Sequence, residues 1–302
     1  MATNQKMQKI YMVTGKGGVG KSVVAAALAN QFAREGYKTL LVELGDVSYL
    51  QNVLLKNSQI TIGYEPTPIS TQLWASLWNG ESCLKEYILY LIKVKKLADL
   101  FLDNKIMRTF VRAAPALKEL AILGKITSGV RQWGPPLEFD RIVVDAYSTG
   151  HFLALLKAPI GMAELIPVGP MGEQSRSMQK VLCDPEKTNY LLVTKMEDLP
   201  ITETFELQAE LQKWVNQSGQ IVANQYFNSQ LNSKDKENLK AEVQGHQIGS
   251  WLLNHVELLD QRSQDGLEKL KKMNAKVTQV PLVLSTSPLE VIQSIANREA
   301  LV

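Results

Sequence analysis

The sequence predicts an α/β protein built on a doubly wound, mostly parallel sheet. Three observations lead there. Short, near-continuous runs of Val, Ile and Leu recur along the chain, the pattern of strands covered on both faces. Stretches of helical length separate them, so strand and helix alternate. A glycine-rich loop joins the first strand to the first helix, the place where such folds hold phosphates.

Residues 9–13 read as the first strand and 22–34 as a helix with an Ala/Leu/Phe face, stopped by Gly36. KTLLVE at 38–43 is a second buried strand. Later strands are predicted at 141–145 (RIVVD), 189–194 (NYLLVT), 220–224 (QIVAN) and 277–283. Helices are predicted at 81–96, 116–131, 171–182, 202–217 and 288–300. Two regions break the rhythm. Residues 78–134 read as a helical insertion between the second and third main strands, and 230–275 as a polar elaboration with solvated helix at 234–240 and 260–272. The chain shows no Pro/Ser linker and no internal repeat, so a single domain over 1–302 is expected.

Of 302 residues, 45% are hydrophobic and 21% charged, enough for a sizeable core. That excludes a disordered chain, a collagen-like chain and a disulfide-stapled mini-protein. Lys+Arg is 33 against 30 Asp+Glu, and a net charge of +3 is too mild to argue for nucleic acid. Cys83 and Cys183 form no CxxC pair and no zinc or iron–sulfur spacing, and they read as reduced thiols. The first residues lack a signal-peptide pattern. The greasiest stretch, 87–94, contains Lys93 and is too short to span a bilayer. A cytoplasmic protein with no membrane span is expected.

The run GKGGVGKS, comprising Gly15, Lys16, Gly17, Gly18, Val19, Gly20, Lys21 and Ser22, fits the phosphate-loop pattern G-x-x-x-x-G-K-[ST]. Its glycines let backbone N–H groups turn inward as a nest around phosphates. The helix that follows aims its positive dipole end at the anion. Lys21 would reach the β/γ-phosphates of ATP or the β-phosphate of ADP, and the Ser22 hydroxyl would ligate Mg²⁺.

The early lysine makes GKGGVGK resemble the deviant-Walker ATPases, a group that includes ArsA-type anion-pump ATPases, tail-anchored-protein targeting factors and MinD/ParA partitioning ATPases. The resemblance implies that Lys16 crosses a dimer interface to the partner's nucleotide; a solvated loop lysine is the plainer alternative. RIVVDAYSTGH at 141–151 resembles the ArsA-type second switch. By that likeness Asp145 ends a strand where a Walker B carboxylate holds Mg²⁺ through water, and Thr149, Gly150 and His151 are switch elements. Ser148 stands where the family usually has Pro, and Tyr147 is bulkier than usual. Near the first switch, Asp46 is the candidate water-orienting carboxylate, with capping of a helix beginning near Val47 as the alternative. Glu43 occupies the position of the family's first aspartate. Asn224 and Gln225 resemble the family's base-recognition step, and the loop after Pro281 is the expected opposite wall; Asn224 could equally be a strand-end turn residue.

The segment 192–211 is similar to the ArsA branch, with Glu203 and Thr204 on its E-T step. The stretch 152–187 is too short for the client groove of tail-anchored targeting factors, and neither a CxxC clamp nor a metalloid cysteine triad is present. The resemblance therefore implies a Mg²⁺-dependent ATPase of the P-loop NTPase class, working as a homodimer or as a heterodimer with a paralogue on an unknown protein client. The alternative is an ATP-binding partner subunit that does not hydrolyse. A DNA-binding partitioning ATPase is disfavoured, and no nucleic-acid partner is expected.

Overall fold

The computed structural model describes residues 8–55, 59–92, 115–273, 275–298 and 301–302. Eight strands form one sheet: β1 Lys9–Gly15, β2 Thr39–Leu44, β3 Thr67–Ser70, β4 Leu73–Trp78, β5 Arg141–Ser148, β6 Thr188–Thr194, β7 Gln220–Tyr226 and β8 Val277–Pro281. Their order across the sheet is β3-β4-β2-β5-β1-β6-β7-β8. Every neighbouring pair is parallel except β3 with β4. The chain first builds outward on one side of β1, then returns and builds outward on the other. The carboxyl ends of the parallel strands therefore share one edge, where a doubly wound sheet places its ligand site.

Alternation along the strands sends side chains to two cores. Ile10, Met12, Leu40, Val42, Ile142 and Val144 face one side. There they meet α4 (Pro115–Ile126), α6 (Thr149–Leu165), α7 (Pro170–Leu182) and α8 (Asp198–Val215). Tyr11, Val13, Leu41, Val143 and Val193 face the other side, against α1 (Lys21–Arg34), α2 (Leu50–Leu54) and α11 (Pro288–Ala296). The Ala-rich face of α1 buries Ala25 to Ala29, which lets that helix lie close on β1 and β5. A smaller cluster of Met196, Ile201, Ile221 and Leu270 seats α10 (Gln247–Lys271) beside β7.

Several sequence expectations are corrected. Two strands are missing from the sequence reading: β3 and β4 extend the sheet before α3 (Gly80–Ile92) opens the segment expected to be helical. The helix expected at 116–131 divides at Thr127 into α4 and α5 (Ser128–Arg131), where the Thr127 hydroxyl donates back to the Leu123 carbonyl. The helix expected at 81–96 runs to Ile92, and 93–96 lie outside the described residues. α6 was not expected at all. It carries Pro159 in its interior and Gly150 and Gly161 along its length, all helix-breaking signals. In the polar elaboration, α9 (Ser233–Glu242) opens with an Asn232/Asp235 capping box, and α10 begins well before the expected 260. No helix among the described residues is long and apolar enough to cross a membrane.

Candidate active site

The glycine-rich loop follows β1 at the carboxyl edge of the sheet. Gly15 has φ of +145°, and an added Cβ would stand 2.2 Å from the Val193 carbonyl oxygen of β6. Gly20 has φ of +93°, and its Cβ would fall 2.3 Å from Nδ2 of Asn224. Only glycine allows the loop to pass both neighbours. Val19 between them is buried in the core on the α1 side, which anchors the loop from below.

Lys21 opens α1, and its Nζ donates to the Lys16 carbonyl across the loop at 3.0 Å. Burial pushes its ammonium below the ordinary lysine range, opposed by the charge of Asp145. A half-buried cation at the positive end of a helix is poised for an anion of high charge.

Asp145 sits beside Val13 of β1 and Glu43 of β2 in the strand register. Burial raises its carboxyl to about 6; a hydrogen bond from Ser22 and the Lys21 charge oppose the rise, while Glu43 adds to it. Among the described residues its Oδ1 has no hydrogen-bond partner. An orphaned oxygen of this kind beside the Ser22 hydroxyl fits a hard cation with oxygen ligands. Ser22 and Asp145 are thus the residues that suit Mg²⁺.

Glu43 is occupied. Its Oε1 accepts from the Tyr49 N–H at 2.7 Å and its Oε2 from the Ser48 hydroxyl at 2.5 Å. Ser48 Oγ in turn accepts from the Gln51 N–H. Glu43 and Ser48 together start α2, so the capping role weighed for Asp46 belongs to them, and the helix begins at Leu50 rather than near Val47. Asp46 is exposed and accepts a hydrogen bond from Asn79 Nδ2 at 2.9 Å.

Asn224 is buried at the end of β7. Its Nδ2 donates to the Val19 carbonyl at 2.8 Å, and its Oδ1 accepts from the Gln225 N–H. It braces the phosphate loop from the side. Gln225 is exposed with φ of +57°, and Pro281 lies one strand further out, opposite Tyr226 in the register. In the second switch, Tyr147 and His151 stack with centroids 3.7 Å apart, and His151 Nε2 lies 3.8 Å from Glu119 of α4. The Thr149 hydroxyl is buried without a partner among the described residues.

Lys16 points to its own α8. Its Nζ lies 2.7 Å from Oε1 of Glu203. Residue spacing gave no sign of this pair, nor of the Asp46–Asn79 bond, because both link segments far apart in the chain.

A family profile for anion-transporting ATPases matches residues 8–168 and 167–249. ATPase BagA of Mycobacterium tuberculosis is 31% identical over 241 residues, which cover 75% of this chain and 68% of that protein. An arsenical pump-driving ATPase of Escherichia coli is 28% identical over 230 residues, 74% of this chain and 36% of the relative. A putative arsenical pump-driving ATPase of Halobacterium salinarum is 27% identical over 231 residues, 71% of this chain and 35% of the relative. The chain thus spans about a third of those longer relatives. With a phosphate loop between β1 and α1, a buried aspartate within β5 whose Oδ1 has no partner among the described residues, and a profile match over most of its length, the chain belongs to the ArsA family of anion-transporting ATPases.

Proposed function

We propose that this ATPase is a Mg²⁺-dependent, nucleotide-gated dimer that couples ATP turnover to the capture and release of a protein partner in the cytoplasm. The observation that carries the catalytic half is the unpaired Asp145 Oδ1 next to Ser22 and Lys21. Lys21 and the loop N–H groups bind the triphosphate. Ser22 and Asp145 would hold Mg²⁺, which would supply positive charge against the triphosphate. Asp46, tethered by Asn79, orients the attacking water.

The dimer is supported by the rim of the site. The loops after β2 and β8, and the first turn of α8 that follows β6, lie on the same edge as the phosphate loop, and each exposes a large apolar side chain: Val47 (85% exposed), Leu284 (87%) and Leu199 (60%). Apolar residues around a charged centre suit a partner that covers them. A second copy of this site would place each Lys16 against the other's triphosphate, reducing the repulsion of two polyanions held face to face.

Turnover at several protein concentrations, with mixed subunits, tests the proposal. Lys21→Ala should abolish ATP binding. Lys16→Ala should bind ATP but lose dimer formation and most turnover. Mixing Lys16→Ala with Lys21→Ala subunits should restore part of the turnover, because the Lys16 of the second subunit serves the nucleotide bound by the first. A concentration-independent rate, unaffected by Lys16, would overturn the dimer.

A further inference from the structure

The phosphate-loop lysine that the dimer needs is already engaged. Lys16 Nζ and Glu203 Oε1 are 2.7 Å apart, with side chains only 27% and 29% exposed. Glu203 cannot easily follow Lys16 elsewhere. It stands near the start of α8, between Ile201 and Leu207, which are buried in the core. The next residue, Thr204, is buried and its hydroxyl donates to the Pro200 carbonyl. The backbone on the Lys16 side is equally fixed, because its carbonyl receives Lys21 Nζ. Two anchored segments thus hold an ion pair directly beside the nucleotide loop.

From this geometry we infer that Glu203 is a positioning residue, a carboxylate latch that keeps Lys16 in its own subunit and yields it only when two nucleotide-loaded subunits close. The inference rests on the dimer reading above and adds a cost to closure. Each subunit must exchange a carboxylate partner for a phosphate partner. The triphosphate carries more charge than Glu203, so the exchange runs forward only when the partner's ATP is in place. In the absence of nucleotide the latch also neutralises Lys16, so two opposed loops do not present a free cation to stray anions.

The experiment is sedimentation of the full chain with Mg²⁺ and a slowly hydrolysed ATP analogue, for wild type, Glu203→Gln, Lys16→Ala and the double variant. Glu203→Gln keeps the size of the side chain and removes its charge. A partly exposed pair contributes modestly, and a dimer breaks two, so the dimer dissociation constant should fall about two- to thirtyfold. Glu203→Asp, with a shorter reach, should lie between. The gain must vanish in the Lys16→Ala background, which a merely structural role for Glu203 would not require. If wild type dimerises through Lys16 and Glu203→Gln dimerises no better, the latch is wrong and the dimer stands. If neither wild type nor Glu203→Gln dimerises, both are overturned. A Glu203→Gln dimer where wild type stays monomeric would support the latch strongly.

Discussion

Asn224 draws the sequence motif and the observed geometry into one residue. The motif marks it for the adenine end of the site, while the structure spends both polar ends of its amide on the backbone, at Val19 and Gln225. Removing the side chain would leave the buried Val19 carbonyl without its donor, a loss of about 1–3 kcal/mol. The phosphate loop would then lose its shape before any base contact is considered. Asn224→Ala should therefore weaken inorganic triphosphate as well as ATP, each roughly 5- to 100-fold, by titration calorimetry. A loss confined to ATP would show that base recognition outweighs the brace. Gly20 makes the same point from the other side, since any Cβ there would collide with the Asn224 amide.

At the scale of elements, the two candidate switch segments are tied to the helices that follow β4. Asp46 is held by Asn79, whose Oδ1 also accepts from the Ser82 N–H at the start of α3. His151, stacked on Tyr147, approaches Glu119 of α4. α3 and α4 are themselves locked together, because the buried Lys125 ammonium lies between both Glu86 oxygens and the Tyr64 and Trp78 rings. Asn79→Asp keeps an acceptor for Ser82, so α3 should stay capped and thermal stability should change little. It replaces the donor to Asp46 with a second carboxylate. ATP turnover should fall severalfold with ATP affinity nearly unchanged, measured by phosphate release and nucleotide titration; unchanged turnover would remove Asp46 from the chemistry. None of these links could be read from spacing. β3 and β4 also escaped notice, since β4 reads LWASLW rather than a Val/Ile run and β3 is a short edge strand containing Pro68. α6 was hidden by Pro159 and its glycines. The strands that carry a Val, Ile or Leu run, β1, β2 and β5 to β7, are buried on both faces over most of their length; β8 is an edge strand that buries only Val280 and is marked by its flanking valines.

Across the whole molecule, the sheet order decides what the carboxyl edge displays. Val47 and Leu284, in the loops after β2 and β8, and Leu199, in the first turn of α8 after β6, follow three different strands, yet parallel pairing sets them along one edge of the sheet. Leu284→Asp removes no buried contact and should leave the melting temperature within the small range of surface substitutions, about 0.5 kcal/mol. It should weaken ATP-dependent dimerisation at least tenfold by sedimentation, because the new charge would be desolvated in the interface. Equal dimerisation would place the interface elsewhere on the surface. The phosphate loop and Asp145 are legible because each belongs to a local pattern, although β5 runs on past Asp145 to Ser148 and does not end there as the sequence predicts. The rim is not legible, since exposed side chains from three distant segments share an edge only after the sheet has assembled.

The brace from Asn224 to Val19 spans 205 residues of sequence. A chain emerging from the ribosome completes its glycine-rich loop early, with β1 and α1. The loop is not held from the side until β7 has been made and has paired with β6. Nucleotide affinity is consequently a late acquisition, gained when the second half of the sheet docks. An unfinished or truncated chain ending before Gln220 would carry an intact motif with a weakened grip, so ATP would favour finished molecules over incomplete ones.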